Sequence, residues 1–351
     1  MTPSTPLKKI LLLCSIAVLA AVLCGESPSL SMEALYKGAS GSRFNPAFPA
    51  ALFRPPRPEV VHPDTLAVES FLPQLATVPT RDEAALNDFN ENRLQSVLLN
   101  NDIFAIYGKP DGRNMGLLGQ VPIQNLEQVM AAHIEEWDRA NGERGIIPAI
   151  YMIYGTVWPE GEIGILRNSL VLQYIEYAAE RGWLVFLDHQ IGRYSVEQAM
   201  QRLLPYLRYP HVHLALDPEW RTTRPMQEIG SITGAELNRA QQMLQDYLVE
   251  NNLPGRRMLV FHQFQARMIQ NRSEVRSDYE LVKLIHCADG FGSPALKRHS
   301  YAFNAQATNI PLKSFKLFTK PTVAGAGWDD PMMSPEEVFS LSPRPYLIML
   351  Q

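Results

Sequence analysis

From residue 101 onward, short apolar runs alternate with longer stretches in which apolar residues recur every three to four positions. The short runs are rich in β-branched and aromatic residues, which is typical of buried strands. We predict strands at 103–107, 147–154, 183–188, 212–217, 258–264, 281–288, 314–318 and 346–350. Helices are predicted between them at 126–140, 170–180, 196–207, 235–250 and 335–340.

This alternation of strands and helices predicts a parallel α/β fold, because parallel neighbours need a crossover connection. The strand runs are apolar on both faces, as in a sheet that is covered on both sides. Eight such units over about 250 residues match a (β/α)8 barrel of the TIM type. The alternative, an open doubly wound sheet that binds nucleotide, requires a glycine-rich phosphate turn, which the sequence lacks. We predict a barrel over residues 81–351 whose last helix is missing, since the eighth strand ends the chain.

Residues 1–24 have the pattern of an export signal. Two lysines precede an apolar run at 10–23, which has the length of a signal-peptide core and is short for a membrane span. Cys24 and the residues after it resemble the cleavage and lipidation point of bacterial lipoproteins, although Leu23 is larger than the usual preceding residue. We expect an exported protein, either lipid-anchored through Cys24 or secreted, with an uncleaved anchor as the third alternative.

Between this segment and the barrel, residues 25–80 are rich in Pro, Ser and Ala without a sustained period. We predict a linker or an arm that wraps the domain. The barrel's missing last helix leaves its final strand uncovered, and we expect residues 81–100 to cover it.

Composition excludes several classes of partner. The formal net charge is -4 and the chain has no run of basic residues, so we expect no nucleic-acid partner. Membrane contact is expected only through the signal segment or a lipid anchor. If processing occurs at or before Cys24, Cys287 is the one remaining cysteine, so no intramolecular disulfide framework is available, and we interpret it as a buried apolar side chain. No cofactor is expected.

Polar residues gather at the predicted carboxyl ends of the strands, which is where barrel enzymes place their active sites. The candidate site residues are Tyr107, Tyr154, Asp188, His189, Asp217, Glu219, Trp220, His262, Gln263, His286, Asp289 and Lys316. Of these, Asp188 and Asp289 are equally interpretable as helix caps. We expect the ligand to be a glycan or another small molecule.

The sharpest pattern is the fourth strand with the residues that follow it. Alternation along a strand predicts that Asp217 and Glu219 share the face of Ala215, while Leu214 and Leu216 face the helices. Two crowded carboxyl groups raise the pKa of one of them, which suits a general acid near neutral pH. The alternative is structural, with the two carboxylates capping the next segment or pairing with nearby arginines.

The D-x-E of Asp217 and Glu219 resembles that of chitinase-type and muramidase-type glycoside hydrolase barrels. The longer chitinase signature has further aspartate and glycine residues upstream, where this sequence has His213. The resemblance implies that Glu219 protonates the leaving oxygen and that Asp217 holds an acetamido group that attacks the sugar carbon. Aromatic residues near strand ends, which could stack on sugar rings, support a glycan. They are Tyr107, Tyr154, Trp158, Trp220 and Trp328.

A second resemblance is broader and covers most of residues 100–351. The stretches 214–221, 261–265, 285–292 and 315–318 look like those of uncharacterised bacterial lipoproteins. This resemblance implies export and a barrel, and it implies no activity.

Three alternatives stay open. His262 and His286 are similar in position to the metal ligands of amidohydrolase barrels, which would make the protein a metal-dependent hydrolase, although the first strand lacks an H-x-H. Lys316 is compatible with an imine-forming lysine or, more commonly, with an ion pair to Asp289. The barrel could also use the same cleft to bind a ligand at the cell surface without catalysis.

The export pattern predicts where the protein goes in a bacterial cell. Expressed with its own N-terminus, the protein should leave the cytoplasm, and labelled fatty acid should attach through Cys24. Cell fractionation with metabolic labelling measures both. Label that survives Cys24→Ser contradicts the lipid anchor, and a full-length cytoplasmic product contradicts export.

Overall fold

The computed structural model of the chain describes Leu98, residues 101–321 and residues 326–351. The predicted export segment with Cys24, the predicted linker at 25–80 and nearly all of the predicted covering segment at 81–100 lie outside the described residues. Within the described part, no helix is both long and apolar enough to cross a membrane.

Eight parallel strands form a closed barrel, which confirms the predicted TIM-type fold. They are β1 Asn101–Gly108, β2 Gly145–Val157, β4 Leu184–Gln190, β5 Val212–Asp217, β7 Arg257–Gln263, β9 Val282–Ala288, β10 Leu312–Leu317 and β11 Leu347–Leu350. Each pairs with its neighbours in chain order, and β1 pairs with both β2 and β11, so the ring is complete. Three short strands lie outside the ring: β3 (Ile163–Ile165) is antiparallel to β2, while β6 (Ile232–Thr233) pairs with β8 (Ile269–Gln270).

The helices that connect the strands are α1 Leu126–Ala140, α2 Asn168–Glu180, α3 Val196–Leu203, α4 Gly234–Glu250, α5 Pro294–Ala305 and α6 Pro335–Phe339. The start of α3 is fixed by a capping box, in which the Ser195 hydroxyl accepts from the backbone of Gln198 and the Gln198 side chain accepts from the backbone of Ser195. This helix ends four residues earlier than predicted and continues as a 3-10 turn that contains Pro205, because proline cannot donate an α-helical hydrogen bond.

The sequence pattern missed α5. Its buried face includes Lys297, Ser300 and Asn304, so the helix lacks the apolar period on which the prediction relied. That polar face packs on the ends of β9 and β10, where Asn304 donates to the carbonyl of Cys287 and Lys297 donates to the carbonyl of Lys316.

Side chains of the barrel strands alternate between an outer layer under the helices and an inner layer. On β5, Leu214 and Leu216 join the outer apolar core and Ala215 joins the inner one, as the alternation predicts. The inner layer is mainly apolar at the amino ends of the strands, where Met258 and Val260 of β7 lie beside the buried polar residues His213 and Ser314, and it is polar at the carboxyl ends, where His262 lies.

The closure of the ring depends on a charged seam at the amino end of β1. Asp102 is fully buried, and its carboxylate pairs with Arg144 before β2 at 3.0 Å and with Arg344 before β11 at 2.6 Å. One carboxylate therefore links the three strands at which the first and last parts of the sheet meet.

Replacement of Asp102 by alanine should destabilise the fold by about 3 kcal/mol, because two arginines lose the charge they were ordered around. Urea unfolding measures the loss. Asp111→Ala is the control, since Asp111 forms an exposed pair with Lys109 and should cost less than about 1 kcal/mol. Equal effects of the two substitutions would contradict a closing role for Asp102.

Candidate active site

The inner layer carries a dense group of ionisable side chains at the carboxyl ends of the strands, which we call the inner cluster. Strand alternation points them into the barrel, and each is at most 5% exposed. Its members are Tyr107 on β1, Tyr151 on β2, Asp188 on β4, Asp217 on β5, Glu219 in the turn after β5, His262 on β7, Asp289 after β9 and Lys316 on β10.

His262 lies at the centre of the inner cluster. Its Nδ1 is 2.8 Å from Asp289 Oδ2, and its Nε2 is 2.8 Å from the Tyr151 hydroxyl and 3.8 Å from Asp188 Oδ2. Burial by itself lowers the pKa of His262, but Cys287, Asp188 and the hydrogen bond to Asp289 outweigh burial and raise this pKa well above its ordinary value. The ring is therefore an imidazolium that bridges two acidic groups.

Lys316 supplies the second cation. Its ammonium lies 3.3 Å from Asp289 Oδ2 and 3.8 Å from the centroid of the Tyr107 ring. Burial opposes the charge, yet Asp289 and Asp217 raise the pKa of Lys316, while Lys316 and His262 hold the pKa of Asp289 well below its usual range. Of the two interpretations of Lys316, the ion pair with Asp289 is the one present.

Asp217 and Glu219 have a different environment. Burial, then Asp188 and Asp289, raises the pKa of Asp217 to about 8, and burial, then Asp217, raises the pKa of Glu219 well above its ordinary value. In the described structure, Asp217 Oδ1 and Glu219 Oε2 are buried and have no hydrogen-bond partner. These shifts favour the protonated form of both groups.

The structural alternative for this pair is not realised. Arg221 pairs with Glu236 at 2.9 Å, and Arg224 pairs with Glu228. The Asp217 side chain makes no capping hydrogen bond to the short 3-10 turn that follows it. The neighbouring arginines therefore pair with other carboxylates and not with Asp217 or Glu219.

Asp188 also belongs to the inner cluster. The Tyr107 hydroxyl donates to Asp188 Oδ2 at 2.9 Å, whereas Asp188 Oδ1 has no partner among the described residues. Burial raises the pKa of Asp188, and His262 and Lys316 oppose this effect. Neither Asp188 nor Asp289 caps a helix, because Ser195 and Ser293 cap the helices that follow.

His286 and Gln263 are not in the inner cluster, and this corrects the metal interpretation. His286 lies on the outer face, where it stacks on Phe261 and hydrogen-bonds to Gln263 Oε1 at 2.8 Å. His262 and His286 occupy opposite faces of adjacent strands, since His286 pairs with Phe261 in the ladder, so the two imidazoles cannot share a metal ion. In the described part of the chain, no group of three His, Cys, Asp or Glu residues could hold a metal ion.

His189 and Tyr154 also lie on the outer face. The ladder between β2 and β4 shifts register between Ile153 and Gly155, and a Cβ on Gly155 would come within 2.9 Å of the His189 ring. Burial, then Arg202, lowers the pKa of His189 to about 3, so this ring is a neutral part of the helix–sheet interface. Tyr154 packs edge-on against Tyr206, 5.5 Å between ring centroids. Trp220 is buried in the turn after β5.

Two features of the site were missed by the sequence reasoning. Tyr151 contacts His262 from the middle of β2. The one sequence feature that predicts its inward direction is its even spacing from Ala149, which also faces inward. Behind Lys316, the buried Lys297 of α5 donates to the carbonyl of Lys316 at 2.5 Å and pairs with Asp329 at 3.3 Å.

The Lys297–Asp329 pair acts as a brace. The Asp329 carboxylate accepts from the backbone of Gly292 and of Phe318, both at 3.0 Å. Residues after β9 and after β10 are thereby tied to one ion pair, so Asp289 and Lys316 are held beside each other.

The sequence matches no protein-family model and no curated protein. Among solved structures, the chain is similar to an oxaloacetate acetylhydrolase in complex with the product oxalate, with a TM-score of 0.45 and 10% identity, over 74% of this chain and 79% of that one. A similarity at this level carries no argument about activity. These comparisons support neither the glycoside hydrolase resemblance nor the lipoprotein resemblance.

The raised pKa of Asp217 predicts an unusual dependence of stability on pH. Asp217 keeps its proton up to about pH 8 when folded but ionises near pH 4 when unfolded, so the folded state holds more protons between these values and stability falls as pH rises. Asp217→Asn cannot ionise and should gain on the wild type by up to about 1.4 kcal/mol per pH unit in this window.

Urea unfolding at several pH values between 5 and 8 measures this difference. Asp278→Asn is the control, because Arg276 lowers the pKa of the exposed Asp278 and removing its charge should give no such gain. A difference between Asp217→Asn and wild type that stays constant with pH would contradict the neutral acid.

Proposed function

We propose that this barrel is an exported hydrolase that acts on a cell-envelope or environmental glycan, with Glu219 as the general acid and Asp217 as the assisting carboxyl. The proposal rests chiefly on one observation: Asp217 and Glu219 are buried, the charge of Asp217 raises the pKa of Glu219, and neither carboxyl group forms an ion pair with another described residue. A general acid needs a proton at neutral pH and an oxygen that no protein group occupies.

The rest of the inner cluster supports this division of labour. Asp289 keeps its charge through Lys316 and His262, and its negative charge in turn raises the pKa of Glu219. When Asp217 loses its proton, that new charge disfavours ionisation of Glu219 further. Two carboxyl groups in one site thus take different roles, one as an acid and one as the group that holds or orients the substrate.

Aromatic side chains near the strand ends favour a sugar ligand. Trp158 follows β2 directly and is half-buried, and Phe291 and Trp328 are half-buried after β9 and β10. Asp329, next to Trp328, is bonded to the backbone at both of these strand ends, which keeps Trp328 on the same side of the barrel as Lys316 and Asp289. Flat apolar faces around a group of acids suit a pyranose ring.

Glu219→Gln preserves shape but removes the transferable proton, so kcat should fall by roughly 100-fold or more. Release of reducing ends from peptidoglycan, from polymers of N-acetylglucosamine and from polymers of glucosamine measures turnover. Glu228→Gln is the matched control: it lies in the same loop, where it pairs with Arg224, and should leave kcat within about twofold.

A Glu219→Gln variant that folds normally and retains full turnover would refute the acid assignment. Glycan binding without turnover in the wild type would favour the alternative of a non-catalytic binding barrel. If the protein neither binds nor cleaves any of these glycans, the glycan proposal is wrong.

A further inference from the structure

We propose that the inner cluster recognises a protonated amine on its ligand, so that the substrate is an amino sugar with a free amino group, and that Asp188 and Asp217 hold this amine. The proposal rests on the proposed function for the sugar and the reaction. The argument for the amine rests on which hydrogen-bonding groups of the inner cluster are already occupied.

The two cations of the inner cluster are engaged by protein groups. Both ring nitrogens of His262 are engaged, by Asp289 and by Tyr151. The Tyr107 hydroxyl donates to Asp188, and the Lys316 ammonium is held between Asp289 and the Tyr107 ring. An anionic ligand would have to break these contacts to find a cation.

The acceptors, in contrast, are unfilled. Asp188 Oδ1, Asp217 Oδ1 and Glu219 Oε2 are buried without a partner in the part of the chain that is described. Other buried polar atoms without a partner lie elsewhere in the described structure, but these three oxygens belong to one cluster, so a single donor group of a ligand can satisfy them together. A ligand ammonium carries three N–H donors.

The positions of these oxygens define the subsite. Strands β4 and β5 are neighbours, and Asp188 is opposite Ala215 in the ladder, two residues before Asp217. Asp188 therefore lies one inward-facing position deeper than Asp217, and Glu219 follows Asp217 in the turn after β5. An amine at the level of Asp188 and Asp217 leaves Glu219 free to hold its proton for the leaving oxygen.

The charge balance points the same way. Four carboxyl groups share the inner cluster with two cations, so a third positive charge is accommodated by the ionisation of one carboxyl group. Asp217, whose pKa is raised to about 8, can ionise near neutral pH. Binding of the ammonium should then release a proton from Asp217, and the new carboxylate keeps Glu219 protonated.

Titration calorimetry with three trimers tests the proposal: glucosamine with free amines, its N-acetylated form and galacturonate. At about pH 6.5 the free-amine trimer should bind roughly tenfold or more tightly than the N-acetylated one, and the galacturonate trimer should bind weakest. Titrations in two buffers of different ionisation enthalpy should report net proton release with the amine trimer.

The Glu219→Gln protein serves for all titrations, so that cleavage does not interfere and binding is measured independently of the acid assignment. In this background Asp188→Asn should weaken binding of the amine trimer by about tenfold and leave the N-acetylated trimer unchanged. Asp278→Asn removes an exposed carboxylate before β9, at the opposite end of the barrel, and should change neither.

Three outcomes would each overturn the proposal. The N-acetylated or galacturonate trimer binds as tightly as the amine trimer or more tightly, the amine trimer does not bind detectably, or it binds without proton release. The proton release in Glu219→Gln alone decides the case if Asp188→Asn does not fold. Full turnover in Glu219→Gln would instead remove the acid assignment and leave the amine subsite intact.

Discussion

Four carboxyl groups share the buried inner cluster, at the carboxyl ends of the strands, with two cations. The arrangement of the site follows from this imbalance of charge. A buried carboxylate needs a counter-charge, since removal of an ion from water costs several kcal/mol. Lys316 and His262 both neutralise the charge of Asp289, and the His262 imidazolium also balances Asp188. No counter-charge is left for Asp217 and Glu219, which therefore retain their protons.

The remainder of the fold makes this imbalance tolerable. Toward the amino ends of the strands the barrel interior is mainly apolar, with Phe186, Val260 and Ile285 among its fully buried side chains, each of which contributes about 2 kcal/mol through burial. Outside, the Lys297–Asp329 brace ties the ends of β9 and β10 and so fixes the distance between Lys316 and Asp289. The positions of the two cations, and hence the protonation of the other acids, depend on this polar support under α5.

Much of this architecture could be predicted from the sequence, because all eight strands are apolar runs of the right length and β5 alternates cleanly. That alternation predicts that Asp217 lies on the inward face of β5, together with Ala215. The same rule would have placed His286 and Gln263 outside, had the apolar neighbours Leu284 and Phe261 been assigned to the outer core first. Neither residue's type reveals its face, since both faces of a barrel strand are buried.

Other features depend on local geometry that periodicity does not contain. The register shift between Ile153 and Gly155 brings Gly155 opposite His189, and the glycine leaves room for the His189 ring on the outer face. The buried face of α5 is polar, so the spacing of apolar residues predicts neither the helix nor the role of its Lys297. In both cases a tertiary contact between polar groups replaced the apolar burial on which sequence patterns depend.

The unfilled oxygens also distinguish a site from a scaffold. A buried ionic network held only for stability is often matched or improved upon by apolar side chains of similar volume. Each buried oxygen without a partner costs a further 1 to 3 kcal/mol or so. Asp188, Asp217 and Glu219 all carry this cost, and all three face the end of the barrel where these folds bind their ligands. Three unpartnered carboxyl oxygens that belong to one cluster, on β4, on β5 and in the turn after β5, are expected where the missing partner is a ligand.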